Sequence, residues 1–144
     1  MRVSDVLHQK GRFVHKVRTT DTVEQAVQKL SDNNVGAVLV YDRWGRYAGI
    51  FSERDLIRGL ERFGKTVQAQ PIGELMTADV VTCHPDDRVR RAMELMTTHR
   101  IRHLPVEEAG RIVGIVSIGD LVRNRVHDKE LEIEVLRDMA RGRA

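Results

Sequence analysis

The chain has 144 residues, of which 41% are hydrophobic, 31% charged and only 4% aromatic, enough to bury a core made of Val, Ile, Leu and Met without disulfide or metal staples. Its one cysteine, Cys83, excludes an internal disulfide framework and fits a reducing compartment; with no apolar leader and no membrane-length apolar run, a soluble, cytoplasmic protein without membrane association is expected. The net charge of +3 comes from basic residues scattered along the chain without an aromatic–basic stacking surface, so no nucleic-acid partner is expected.

The predicted elements form a series that occurs twice. The chain opens on Val3-Ser4-Asp5-Val6-Leu7, followed by a short β-rich stretch at residues 14–17. Thr20-Asp21-Thr22-Val23-Glu24 supplies the hydroxyl and acidic residues that a helix N-terminus favours, and Val23, Ala26, Val27 and Leu30 then recur at helical spacing. The apolar run Val35-Gly36-Ala37-Val38-Leu39-Val40 has the pattern of a strand buried on both faces. A turn at Asp42-Arg43-Trp44-Gly45 leads to a strand at residues 47–51 and a helix at 55–60. Residues 62–71, with Gly64 and Pro71, read as a linker.

After the linker the series returns. Gly45-Arg46-Tyr47-Ala48-Gly49-Ile50-Phe51-Ser52-Glu53-Arg54-Asp55-Leu56 aligns without gaps on Gly110-Arg111-Ile112-Val113-Gly114-Ile115-Val116-Ser117-Ile118-Gly119-Asp120-Leu121, with seven of twelve positions identical at an offset of 65. Upstream, Val23, Ala26, Leu30, Val35 and Val40 match Val89, Ala92, Met96, Ile101 and Val106; the opening corresponds to Ile72-Gly73-Glu74-Leu75-Met76. The second copy has its β-rich stretch at residues 80–83, its apolar run at 101–106, a strand at 112–116 and a helix at 120–126. The expected fold is α/β (α+β): two strand-helix-strand-strand-helix motifs at 3–61 and 72–126, packed about a pseudo-two-fold axis with two related clefts, and a tail at 127–144.

The paired Gly-hydrophobic-x-Ser-x-x-Asp, the stretch Arg102-His103-Leu104-Pro105-Val106 and the opening Met76-Thr77-x-x-Val80-Val81 resemble the CBS domain, and the tandem pair resembles a Bateman module over residues 3–126. The resemblance implies a stand-alone regulatory module binding adenosyl ligands: AMP, ADP or ATP, NAD, or S-adenosylmethionine as a less favoured ligand.

Ser52 and Asp55, like Ser117 and Asp120, stand between a strand and a helix, where free amides and the helix dipole suit a phosphate and an ionised aspartate suits two ribose hydroxyls. A Ser-x-x-Asp capping box uses the same residues and is compatible with this role. By resemblance, the aspartate is the ribose contact, Arg102 and His103 meet phosphate, and Val80 and Val81, with Val14 and His15 in the first copy, edge the adenine slot. Thr77 offers a hydroxyl. Arg54, aligned with Gly119, and Lys10, on the first opening, are further phosphate candidates carried only by the first copy; the sequence leaves open which opening pairs with which aspartate. Unequal basic residues predict two unlike clefts.

No catalytic arrangement is expected. Gly114-Ile115-Val116-Ser117-Ile118-Gly119 is one residue too long for a nucleophile elbow, and Walker A, G-x-G-x-x-G and H-E-x-x-H are all missing. Cys83 and His84 are adjacent on a predicted strand and point to opposite faces, so even with His99 and His103 nearby no metal site is expected. In the tail, Leu131, Val135 and Met139 recur at i, i+4, i+8 beside Leu136, which suits either a helix laid on its own domain or a homodimer or partner contact. The functional expectation is a ligand sensor acting on an unknown regulated protein; the alternative is a structural module for oligomerisation.

Overall fold

The computed structural model describes residues 1–142. In chain order the elements are α1 (Val3–Lys10), β1 (Lys16–Arg18), α2 (Val23–Asn33), β2 (Ala37–Tyr41), β3 (Tyr47–Ser52), α3 (Glu53–Phe63), two 3-10 turns (Gly64–Ala69 and Ile72–Glu74), α4 (Val89–His99), β4 (His103–Glu108), β5 (Arg111–Ser117) and α5 (Ile118–Ala140). They form a mixed α/β structure with two copies of one motif. The chain divides into two compact units, one of residues 13–80 and one of residues 1–12 with the chain from residue 81. Each unit is therefore completed by the opening of the other repeat.

In the unit of residues 13–80, Thr22 and Gln25 cap α2 reciprocally: Gln25 N donates to Thr22 Oγ1 at 3.2 Å and Thr22 N to Gln25 Oε1 at 2.8 Å. The helix ends at Asn34 in the left-handed conformation (φ 50°), with Val35 N donating back to Leu30 O at 3.1 Å. This closure removes Val35 from the predicted strand, so β2 starts later, at Ala37. The second copy repeats it: Arg100 has φ 54° and Ile101 N donates to Met96 O at 3.0 Å, so β4 begins at His103 and not at Ile101.

The sheet order is β1-β2-β3, with β1 parallel and β3 antiparallel to β2. Its residues Val17, Val38, Val40 and Phe51 pack with Val23, Ala26 and Leu30 of α2. The segment read as a linker is part of this body. Val67 and Ile72 are buried in the same core, and Ile72 N donates to Asp21 O at 2.8 Å. Burial of these side chains, each worth about 1.5–3 kcal/mol, turns residues 64–74 into a packed closure.

In the other unit, α1 buries Val3, Val6 and Leu7 against Val89, Ala92 and Met96 of α4, Leu104, Val106 and Val116 of the β4–β5 hairpin, and Leu121 of α5. Backbone bonds fix the entry to α1, Val3 N to Asp87 O at 2.8 Å and Val89 N to Met1 O at 3.1 Å.

The strand predicted at residues 80–83 is reduced to a single parallel bridge between Cys83 and Val106. Pro105 gives the reason. In the first copy Leu39 N donates to His15 O at 3.0 Å, which extends the β1 ladder. The residue matching Leu39 is Pro105, which has no N–H, so the counterpart bond cannot form and the ladder stops.

The second helix of each copy is longer than predicted. α3 runs from Glu53 through Phe63, and α5 continues without a break from Ile118 to Ala140. Residues 143 and 144 of the expected tail lie outside the described residues.

Candidate functional site

Each unit places one aspartate, almost fully buried, at a strand-to-helix turn. Asp55 and Asp120 are 3% and 6% exposed, and each is the third residue of its helix. A carboxylate in that position keeps its charge only if donors surround it.

At the first turn, β3 delivers Ser52 in extended conformation as the N-cap of α3. Asp55 Oδ2 accepts from Ser52 N at 2.9 Å and from Ser52 Oγ at 3.1 Å, and Asp55 Oδ1 accepts from Thr77 Oγ1 at 2.9 Å. Thr77 comes from the opening of the second repeat and is held by a two-bond bridge, Ile50 N to Thr77 O at 3.0 Å and Thr77 N to Ile50 O at 2.9 Å. Gly49 makes this approach possible: a Cβ there would lie 2.2 Å from Thr77 O.

At the second turn, Ser117 caps α5 reciprocally, Ser117 N donating to Asp120 Oδ2 at 2.8 Å and Asp120 N to Ser117 Oγ at 3.1 Å. The other donors are cations. Lys10 Nζ donates to Asp120 Oδ2 at 2.7 Å and to Ile115 O at 2.8 Å, and Arg123 Nη2 donates to Asp120 Oδ1 at 2.8 Å. Lys10 ends α1, and α1 is admitted by Gly114, where a Cβ would meet Leu7 Cδ2 at 2.7 Å. Burial opposes ionisation of Asp120, yet the Lys10 bond, the Ser117 amide and the Lys10 charge outweigh it and hold the carboxyl below its ordinary range.

Lys10, on the first copy's opening, serves Asp120 of the second copy, because that opening lies in the second copy's unit; this is the pairing that the sequence left open. The structure brings together Ser52, Asp55 and Thr77 in one unit and Ser117, Asp120 and Lys10 in the other. Arg54 is exposed on α3 beside Asp55, and Arg102 is exposed while His103 is half-buried at the start of β4. Val14 and Val80 are half-buried in the unit of Asp55; Val81 is half-buried against the core of the unit that holds Asp120, where Gly119 is the second residue of α5.

Arg123 was not singled out from the sequence, and Gly49 and Gly114 were singled out only as the glycines of the Gly-hydrophobic-x-Ser-x-x-Asp motif, without their steric role. A signal for each existed: Asp-x-x-Arg recurs at Asp55-Leu56-Ile57-Arg58 and Asp120-Leu121-Val122-Arg123, and the two glycines occupy matching positions of the repeat. Asn124, next along α5, is buried; its Nδ2 donates to Asp120 O at 2.7 Å while its Oδ1 finds no partner among the described residues. Cys83 is buried and its thiol is pushed up to about 12, by burial and then by the charge of Asp87. Among the described residues no three His, Cys, Asp or Glu groups stand close enough to hold a metal ion, and no helix is long and apolar enough to cross a membrane.

Comparison with known proteins identifies the family of the two repeats. The family model described as CBS domain matches residues 3–62 and 72–127. The chain is 37% identical over 148 aligned positions to the CBS domain-containing protein CBSX3, mitochondrial, of Arabidopsis thaliana, covering 97% of this chain and 72% of that one. Among solved structures, the CBS-domain containing protein ATU1752 of Agrobacterium tumefaciens superposes with a TM-score of 0.84 at 41% identity, over 86% of this chain and 92% of that chain. The CBS domain pair of protein MJ0100, solved in complex with 5′-methylthioadenosine and S-adenosyl-L-methionine, superposes with a TM-score of 0.76 at 25% identity, over 89% of this chain and 98% of that chain.

Proposed function

The chain belongs to the CBS domain family, and from that premise we propose that it is a regulatory sensor of adenosyl ligands, not an enzyme. The observation that carries the reading is the pair of buried aspartates at strand-to-helix turns, each fixed by a serine of its own repeat and a donor from the other repeat's opening. Such a carboxylate accepts from ribose hydroxyls, and the neighbouring helix N-terminus favours phosphate. The adenosyl ligands of the MJ0100 pair support this ligand class. AMP, ADP and ATP are the favoured ligands, with NAD as a further candidate. Binding would change the tie between each opening and its aspartate, and a regulated protein partner would read the change; by linkage, the partner would shift ligand affinity equally. A cytoplasmic location belongs to the same reading, on the strength of a single cysteine kept as a buried thiol.

Calorimetry and thermal shift with AMP, ADP, ATP, NAD, 5′-methylthioadenosine and S-adenosylmethionine test it. A ligand at a hundredfold excess over Kd stabilises by about 2.7 kcal/mol. No response to any of the six at millimolar concentration would sink the reading.

A second reading, a module for self-association, is favoured by the exposed part of α5. Leu131, Ile133, Val135, Leu136 and Met139 are 46–58% exposed. Glu130, Glu132 and Glu134 stand toward the start of this stretch and Arg137 and Arg141 toward its end, with Lys129 and Asp138 as exceptions to the segregation. An antiparallel second copy would set the acidic half of one helix against the basic half of the other, with the apolar side chains between. The two readings are compatible.

A further inference from the structure

We infer that Lys10 makes the Asp120 half of the protein selective for phosphate-bearing adenosyl ligands, whereas the Asp55 half, with a threonine hydroxyl in the same role, has no such requirement. The inference rests on the adenosyl reading above and assigns a ligand class to each turn.

The two aspartates share a frame and differ in what the exchanged opening brings to them. An ionised carboxylate offers about four acceptor sites. At Asp55 three are filled, by the amide and hydroxyl of Ser52 and the hydroxyl of Thr77. At Asp120 three are filled as well, but two of the donors are an ammonium and a guanidinium. A ribose diol needs two acceptor sites on its aspartate, so one resident donor must give way in either half.

What gives way decides the chemistry. At Asp55 it is a hydroxyl, which rotates and donates elsewhere or accepts from the ligand. At Asp120 it is Arg123, whose side chain is 76% exposed and can swing into water, so the carboxylate, only 6% exposed, keeps Lys10 as its cation. Lys10, 33% exposed and also bonded to Ile115 O, is the constrained partner. Its ammonium has three donors, two of them engaged within the unit, and a ligand phosphate supplies the oxygen for the third or replaces Asp120 outright. An uncharged adenosyl ligand supplies neither, and a cationic sulfonium adds repulsion. At Asp55 the three donors are an amide and two hydroxyls, so phosphate is not demanded there.

The test measures Kd by calorimetry for AMP, ATP, adenosine and 5′-methylthioadenosine on the full chain carrying Asp55→Ala, which leaves the Asp120 half. AMP should bind at least tenfold tighter than adenosine, and Lys10→Thr in this background should cut that preference by tenfold or more, mainly by weakening AMP. Lys10→Arg should retain it, which guards against a folding defect in the threonine variant. In the reciprocal Asp120→Ala chain, adenosine and AMP should differ by less than threefold. Equal adenosine and AMP affinities with Asp55→Ala, or an unchanged preference in a folded Lys10→Thr protein, would overturn the inference while leaving the adenosyl reading intact. Absence of binding by any adenosyl ligand to the unsubstituted chain would overturn both.

Discussion

Lys10 and Asp120, 110 positions apart in the sequence, meet at 2.7 Å. The bond joins the end of the first helix to the start of the last, within one compact unit. Thr77 and Asp55 stand in the same relation in the other unit at 2.9 Å, with a neutral donor. The opening of each repeat thus holds the aspartate of the other, so whatever binds the aspartate acts on the opening.

The exchange depends on the two glycines that admit the openings. Gly49→Ala would set a methyl 2.2 Å from the backbone oxygen of Thr77, which cannot move without breaking its bridge to Ile50. Gly114→Ala meets the end of the Leu7 side chain at 2.7 Å, which can change rotamer. Overpacking costs about 1–3 kcal/mol; Gly49→Ala should lie at the upper end and Gly114→Ala at the lower, as read by urea unfolding. Equal losses would show that the Thr77 backbone yields as readily as a leucine methyl.

The acid limb of stability should depend on Lys10. Burial disfavours the Asp120 carboxylate, but the bonds from Lys10 and Ser117 outweigh it, so the folded pKa lies below the unfolded value of about 3.9. Its contribution is therefore complete above that value and is lost as pH falls through the lower, folded pKa. In Lys10→Ala the burial remains while its largest counterweight goes, so Asp120 should titrate at higher pH. A carboxyl-detected NMR titration of Asp120 in both proteins checks this; coincident curves would remove Lys10 as the cause.

Cys83 should be an inert thiol. Burial, then the nearby Asp87 charge, push it up to about 12. The thiol form is preferred in the folded state, so this contribution is present below the ordinary cysteine pKa of about 8.5 and is lost as pH rises toward 12. At pH 8 the reaction with a disulfide reagent should be at least about tenfold slower than for the urea-unfolded chain, because the thiolate is the attacking form. Comparable rates would mean that this region opens readily.

The exposed apolar face of α5 separates stability from association. Leu131 and Leu136 are 46% and 58% exposed, so Leu131→Asp and Leu136→Asp should alter unfolding free energy by no more than about 0.5 kcal/mol. If a second copy covers this face, light scattering should report a dimer for the unsubstituted chain and a monomer for the double variant. A large loss of stability would instead mean that the tail packs on its own unit.

Local physics made much of the protein legible before folding. The repeat, the helical spacing of Val23, Ala26 and Leu30, the buried run before Val40 and the Ser-x-x-Asp turns all depend on residues near one another in the chain. Even the strand that failed carried its signal, since Pro105 lacks the donor that Leu39 supplies. The pairing of opening and aspartate was not legible, because in both repeats the openings have similar apolar faces and no local pattern says which core buries them. Packing decided it, by giving Thr77 room above Gly49 and Leu7 room above Gly114. Lys10, read from sequence as a cation of the first repeat, became through that choice the partner of the second repeat's aspartate.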